Sequence, residues 1–268
     1  MADPHQMSDA ELLAALEWYR AAGVDIAVGE ASIDRFAISA PPRAIAVAAA
    51  AAIPQPAPSL PLLGTDPDEA MALAAACTTL DELREAFARF EGCALKQRAR
   101  QICFADGNPQ AQIMLLGEAP GEQEDMEGRP FVGRAGRLLD RMLAAIGLDR
   151  TKVYIANVVP WRPPGNRNPT PQEMAACAPF LHRQIALVAP KLLLTLGNIA
   201  SRTIFESTTG IMRLRGQQKS VTIGGHGTTA LATLHPAYLL RTPGAKQLAW
   251  RDMLALAELI EKENIETG

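Results

Sequence analysis

Four short, mostly apolar runs punctuate the chain from residue 113 onward, at residues 113–116, 153–158, 192–196 and 229–234. Runs of this length, mostly apolar instead of strictly alternating, are what strands buried on both faces look like. Between them apolar positions recur at helical spacing, at residues 135–146, 171–188 and 199–205, and a last helical segment covers 247–262. Upstream, Thr79-Leu80-Asp81-Glu82-Leu83 reads as a capped helix start running to Phe90. Strand–helix alternation predicts an α/β fold: three layers, α/β/α, around a central four-stranded parallel sheet.

The pattern changes toward the N-terminus. Residues 7–22 predict a helix, with Ser8 as its cap and Leu12, Leu13, Leu16, Trp18 and Tyr19 at apolar positions. Residues 40–64 are rich in Ala and Pro, with Pro41-Pro42 and further prolines at 54, 56, 58 and 61, a composition that predicts a flexible linker. The expected organisation is therefore an N-terminal helix plus linker over 1–64 and a compact domain over 65–268. A chain of 268 residues, 48% hydrophobic, can bury one sizeable core. It has no apolar run of the roughly 20 residues that span a bilayer, and its start lacks the basic and apolar segments of a secretion signal. Four cysteines without a CxxC pair read as reduced thiols. The expectation is a cytoplasmic, nucleoid-associated monomer with no membrane partner.

Charge adds an asymmetry that the net value of −3 hides. Residues 1–92 hold 14 acids and 5 bases; the rest hold 15 acids and 21 bases. A basic domain suits a phosphate backbone, although a solvated surface of mixed charge accounts for it equally well.

The chemistry concentrates where the strands end. The run at 113–116 leads into Gly117-Glu118-Ala119-Pro120-Gly121-Glu122-Gln123-Glu124-Asp125, followed by Gly128-Arg129-Pro130-Phe131-Val132-Gly133. Gly and Pro turn the chain out of the sheet at the carboxyl end of the strand, where open α/β sheets bind ligands. Asn157 followed by Arg162-Pro163-Pro164, Gly197-Asn198 and His235-Pro236 end the other three runs, so four strand ends are expected to converge on one edge.

These elements resemble the uracil-DNA glycosylase superfamily, and within it the family 4 enzymes. The resemblance covers about residues 80–257. It is carried by Gly-Glu-Ala-Pro-Gly-x-x-Glu-Asp at 117–125, Gly-x-Pro-Phe-Val-Gly-x-Ala-Gly at 128–136, Asn157 with Arg162-Pro163-Pro164-x-Asn166-Arg167, and His235-Pro236-Ala237-Tyr238-Leu239-Leu240-Arg241. It implies an enzyme that extrudes uracil from single- or double-stranded DNA and hydrolyses its N-glycosidic bond, leaving an abasic site for base-excision repair. Phe131 would stack on the base. Asn157 would present its amide to O4 and N3–H of uracil, a pattern that cytosine reverses. His235 would stabilise the charge developing on the leaving base. Glu118 or Glu124 would position water, or Glu124 would orient His235. Ala119, Asp125 and Asn166 would line the base site, Asp125 equally well capping a helical turn. Pro236, Leu239, Leu240 and Arg241 resemble a loop that enters the duplex, and Ser201, Arg202, Arg215 and Lys246 are candidate phosphate contacts.

Family 4 enzymes hold an iron–sulfur cluster on four cysteines. At the matching positions this chain has Phe90, Cys93, Trp161 and Cys177. Phe and Trp cannot ligate iron. The expectation is that no metal or cofactor is bound, with Phe90 and Trp161 packing as an apolar plug. Two other readings keep the fold: a glycosylase for a wider range of deaminated or mismatched bases, and a non-catalytic binder of uracil or abasic DNA.

Overall fold

A computed structural model describes residues 67–265. The helix expected over 7–22 and the linker over 40–64 lie outside the described residues. Two helices come first, α1 (Pro67–Ala76) and α2 (Leu80–Arg89). Thr79 starts α2 through a reciprocal capping box: its hydroxyl accepts from the Glu82 amide, and the Glu82 carboxylate accepts from the Thr79 amide. Then follow β1 (Asp106–Gly107), β2 (Ile113–Gly117), α3 (Glu122–Glu127), α4 (Arg134–Ala144) and β3 (Tyr154–Asn157). The chain continues with α5 (Pro171–Val188), β4 (Leu192–Leu196), α6 (Asn198–Phe205) and α7 (Ile211–Leu214). It ends with β5 (Gln218–Ile223), β6 (His226–Thr233), α8 (Pro236–Arg241) and α9 (Lys246–Lys262).

The strands form one sheet in the order β1-β3-β2-β4-β6-β5. The four expected strands, β2, β3, β4 and β6, are mutually parallel in its centre. The expectation of four strands needs correction: the sheet has six and is mixed, because β1 and β5 add antiparallel edges. β5 and β6 form a hairpin in which Ile223 pairs with His226 across Gly224-Gly225. Both glycines have positive φ, 57° and 84°, as the tight primed turn of a hairpin requires.

Successive side chains of a strand face opposite ways, so each buried strand feeds two cores. Met114, Leu116, Ala156 and Leu193 pack with Leu83 and Phe87 of α2 and Phe180, Leu181 and Ile185 of α5. Ile113, Leu115, Ile155 and Leu194 pack with Leu139 and Leu143 of α4 and Met253 and Leu256 of α9. Helices thus flank both faces of the sheet. Among the described residues no helix is long and apolar enough to cross a membrane.

Candidate active site

At the carboxyl ends of the central strands lies a cavity of about 510 Å³. It is lined by Glu118 and Ala119 after β2, by Asn157 at the end of β3, by Gly197 and Asn198 after β4, and by His235 after β6, with Phe131 and Glu124 from the loop and helix that follow β2. The four strand ends therefore converge as expected, because parallel strands in register bring their ends to one edge.

The floor is set by close approaches. Gly117 and Asn157 are register partners on β2 and β3. A β-carbon on Gly117 would lie 2.4 Å from Asn157 Oδ1 and 2.6 Å from Phe131 Cζ. Asn157 is buried, and its Oδ1 has no hydrogen-bond partner. A buried acceptor left open costs stability, and this one belongs to a residue that lines the cavity. The Phe131 and His235 rings have centroids 5.5 Å apart and planes at 27°. A base sandwiched between two rings needs about 7 Å, two contacts of about 3.5 Å each, so no base fits between them.

His235 is the N-cap of α8, and its Nδ1 accepts from the Ala237 amide at 3.1 Å. An accepting Nδ1 leaves the neutral ring's proton on Nε2. Burial, with the Arg241 charge adding to it, pushes the imidazole pKa down to about 4, so the ring is a neutral donor at neutral pH. Gly197 lies against it: a β-carbon there would sit 2.8 Å from His235 Cβ, and its φ of 91° favours glycine.

The two candidate carboxylates differ in their commitments. Glu124 accepts from the Gly121 amide at 3.1 Å through Oε2 and from the Gly133 amide at 2.9 Å through Oε1. It ties both ends of the loop together. Glu118 makes no side-chain hydrogen bond among the described residues, and burial raises its pKa above the usual carboxylate value.

Other expected residues fall elsewhere. Asp125 is not brought to the cavity: it is buried within α3 and accepts from the Arg100 amide at 2.8 Å, so it neither meets a base nor caps a following turn. Asn166 lies exposed at the rim, its amide oxygen held by Arg162 at 2.7 Å. Leu239 is fully buried in a small core with Leu138 and Leu234, and Pro236 is buried at the start of α8, so neither can enter a duplex. Leu240 is half-buried, and Arg241 is exposed at the cavity mouth. Ser201 is fully buried against Thr195 Oγ1 at 2.8 Å, out of reach of a phosphate. Arg215 is committed to the buried Asp252 carboxylate and to the Leu248 carbonyl. Arg202 and Lys246 are exposed. Tyr238 and Met212 also line the cavity. Their sequence positions carried no signal beyond the neighbourhood of His235 for the first and none for the second.

Phe90, Cys93, Trp161 and Cys177 are all buried, in the core between the sheet and helices α2 and α5. Phe87 stacks on Phe180 at 4.1 Å and meets Trp161 edge-on at 5.0 Å; Phe90 lies 5.0 Å from Phe180. Cys177 Sγ donates to Cys93 Sγ at 3.8 Å, and that hydrogen bond, with burial adding to it, pushes the Cys177 thiol up. Among the described residues, no group of three or more His, Cys, Asp or Glu side chains is placed to hold a metal ion.

A model of the Uracil DNA glycosylase superfamily matches residues 104–254. The type-4 uracil-DNA glycosylase of Sulfurisphaera tokodaii is 39% identical over 186 residues, covering 68% of this chain and 84% of that protein. The chain belongs to the type-4 uracil-DNA glycosylase family. The type-4 enzyme of Archaeoglobus fulgidus is 38% identical, over 69% of this chain and 95% of its own length. A type-5 uracil-DNA glycosylase of Thermus thermophilus matches less, at 35% identity over 35% of this chain. Within the type-4 family this chain departs at two of the four positions expected to carry cluster cysteines, Phe90 and Trp161.

Proposed function

We propose that residues 65–268 form a monofunctional uracil-DNA glycosylase, acting as a cytoplasmic monomer on uracil in DNA and leaving an abasic site. The reading rests on one arrangement: an open acceptor on Asn157, the face of Phe131 and the Nε2–H of His235 share a cavity. An extruded uracil stacks on Phe131. Its N3–H donates to Asn157 Oδ1, and the amide nitrogen donates to O4. Cytosine presents an acceptor at N3 and a donor at N4, so the same amide rejects it. The neutral imidazole of His235 donates to O2, where charge builds as the glycosidic bond breaks. Glu118, the carboxylate without a hydrogen-bond partner, orients water toward the sugar and stabilises its cationic character. Glu124 keeps the loop in place. Arg241, Leu240, Arg202 and Lys246 remain the candidates for DNA contact; Ser201, Arg215, Pro236 and Leu239 are withdrawn.

A [4Fe–4S] cluster does not fit the residues present. Two thiols cannot supply four ligands, and we read Phe90 and Trp161, packed with Phe87 and Phe180, as filling the remaining space. No step of the reaction is assigned to a metal.

The test is release of free base from labelled oligonucleotides carrying uracil, hypoxanthine, xanthine or a G·T mismatch. Uracil release that is lost in His235→Ala and Asn157→Ala supports the reading. Release of a purine in preference to uracil, or tight binding without release, overturns it.

A further inference from the structure

We propose that Arg150 is a positioning residue of this site, acting through the backbone of Phe131. The inference rests on Phe131 being the stacking surface.

Phe131 has φ of 56°, a left-handed conformation that is an outlier for a bulky side chain. Such a backbone persists only where its surroundings over-determine it. Here they do. Arg150 Nη2 donates to the Phe131 carbonyl, and Nη1 donates to the Pro130 carbonyl at 3.3 Å. The Phe131 carbonyl also lies over Gly136 of α4, where a β-carbon would come within 1.6 Å of the oxygen. The oxygen is thus trapped between a guanidinium and a bare α-carbon, which fixes the backbone from which the ring reaches over Gly117 toward His235.

The guanidinium is itself fixed. Its Nε donates to Asp140 Oδ1 of α4 at 2.8 Å and its Nη1 to Asp106 Oδ2 at 2.5 Å. Asp106 is carried by β1, the edge strand, in register with Ile155 of β3. That strand lies close enough to the Arg150–Lys152 turn for a β-carbon on Gly107 to meet the Arg150 carbonyl at 2.9 Å, and the φ of Gly107 is 92°. Arg150 stands just ahead of β3, and Asn157 ends it. One short strand therefore carries the clamp on the stacking ring at its start and the base-reading amide at its end, so ring and amide are keyed to the same element. A planar fork with several donors suits two carbonyls and two carboxylates at once; a lysine ammonium does not.

The test is a double-mutant cycle on single-turnover uracil release, with DNA affinity measured separately. Arg150→Met, and Arg150→Lys as the conservative variant, should lower the chemical rate about 10- to 100-fold, the scale of a 1 Å misplacement, with DNA affinity unchanged within about twofold. In a Phe131→Ala background the same substitutions should cost less than about twofold, since the ring they hold is gone. Equal losses in both backgrounds, or wild-type rates in both Arg150 variants, overturn the proposal. If Arg150→Met fails to fold, Arg150→Lys carries the cycle. Wild-type release by Phe131→Ala alone would defeat the stacking role itself, an outcome distinct from additivity.

Discussion

The α-carbon of Gly117 lies where a β-carbon would come within 2.4 Å of Asn157 Oδ1. The same β-carbon would strike the Phe131 ring at 2.6 Å. Backbone conformation is not the reason for glycine here, because φ at 117 is not positive; space is. Gly117→Ala should therefore displace both the amide and the ring. The expected result is a loss of uracil release of about 100-fold or more, since misplacement by about 1 Å costs that much, with a cooperative melt retained.

Asn157→Asp tests the reading of the base edge with almost no change of shape. An ionised carboxylate has no donor for O4. Release of uracil should fall by about 100-fold, one lost hydrogen bond plus the repulsion between the carboxylate and O4, at about 1.4 kcal/mol per tenfold. Wild-type release would show that the amide does not read the base.

Much of this site was legible in the sequence because it sits at strand ends. The apolar runs placed Glu118, Asn157, Gly197 and His235 at the carboxyl ends of parallel strands, and geometry does the rest. The edges were not legible for different reasons. β1 is two residues long and carries no period. The hairpin had a signal, Gly224-Gly225 between Ile223 and His226, but its first strand is exposed and polar and so lacks an apolar run. Single charged residues were read poorly. Arg215 and Ser201 looked like phosphate contacts because their partners, Asp252 and Thr195, are set by tertiary packing that no local pattern reports. Arg150 was missed for the same reason: its worth lies in carbonyls 19 and 20 positions away in the chain.

Arg215 should matter to stability and not to DNA affinity. Asp252 is 1% exposed, bonded to Thr233 at 2.8 Å and paired with Arg215. Removing one partner of a buried pair leaves the other charge uncompensated, at a cost of about 3–5 kcal/mol. Arg215→Ala should lower Tm by roughly 6–20 °C, scaling about 2–4 °C per kcal/mol for a domain of this size. The salt dependence of DNA binding should keep its slope; a slope lower by about one would restore Arg215 as a phosphate contact.

Two pH effects follow from the burial of His235 and Glu118. The His235 pKa is held at about 4 in the folded protein, against about 6.5 in an unfolded chain. Between those values the unfolded state binds more protons, so stability should fall as pH drops through that window, and His235→Asn should flatten the slope of Tm against pH. Glu118 has its pKa raised by burial. If the ionised form orients water, the acid limb of kcat/KM lies above the ordinary carboxylate range and disappears from the residual activity of Glu118→Gln. A limb tracking His235 instead would reverse the two roles.

Iron chelators should leave Tm and uracil release unchanged, since two thiols and two aromatic rings stand where four ligands would be needed. A chelator-dependent loss of either would show that the corner holds metal after all.

The interlock of Phe87, Phe90, Trp161 and Phe180 bears on how such a protein comes into being. On the proposal that this corner binds no cluster, it would be complete once translation ends: it would wait for no delivery of iron and sulfide, and would offer peroxide no inorganic core to dismantle. Supply of active molecules in a cell under oxidative stress, when deaminated bases and damaged clusters accumulate together, would then depend on protein synthesis alone.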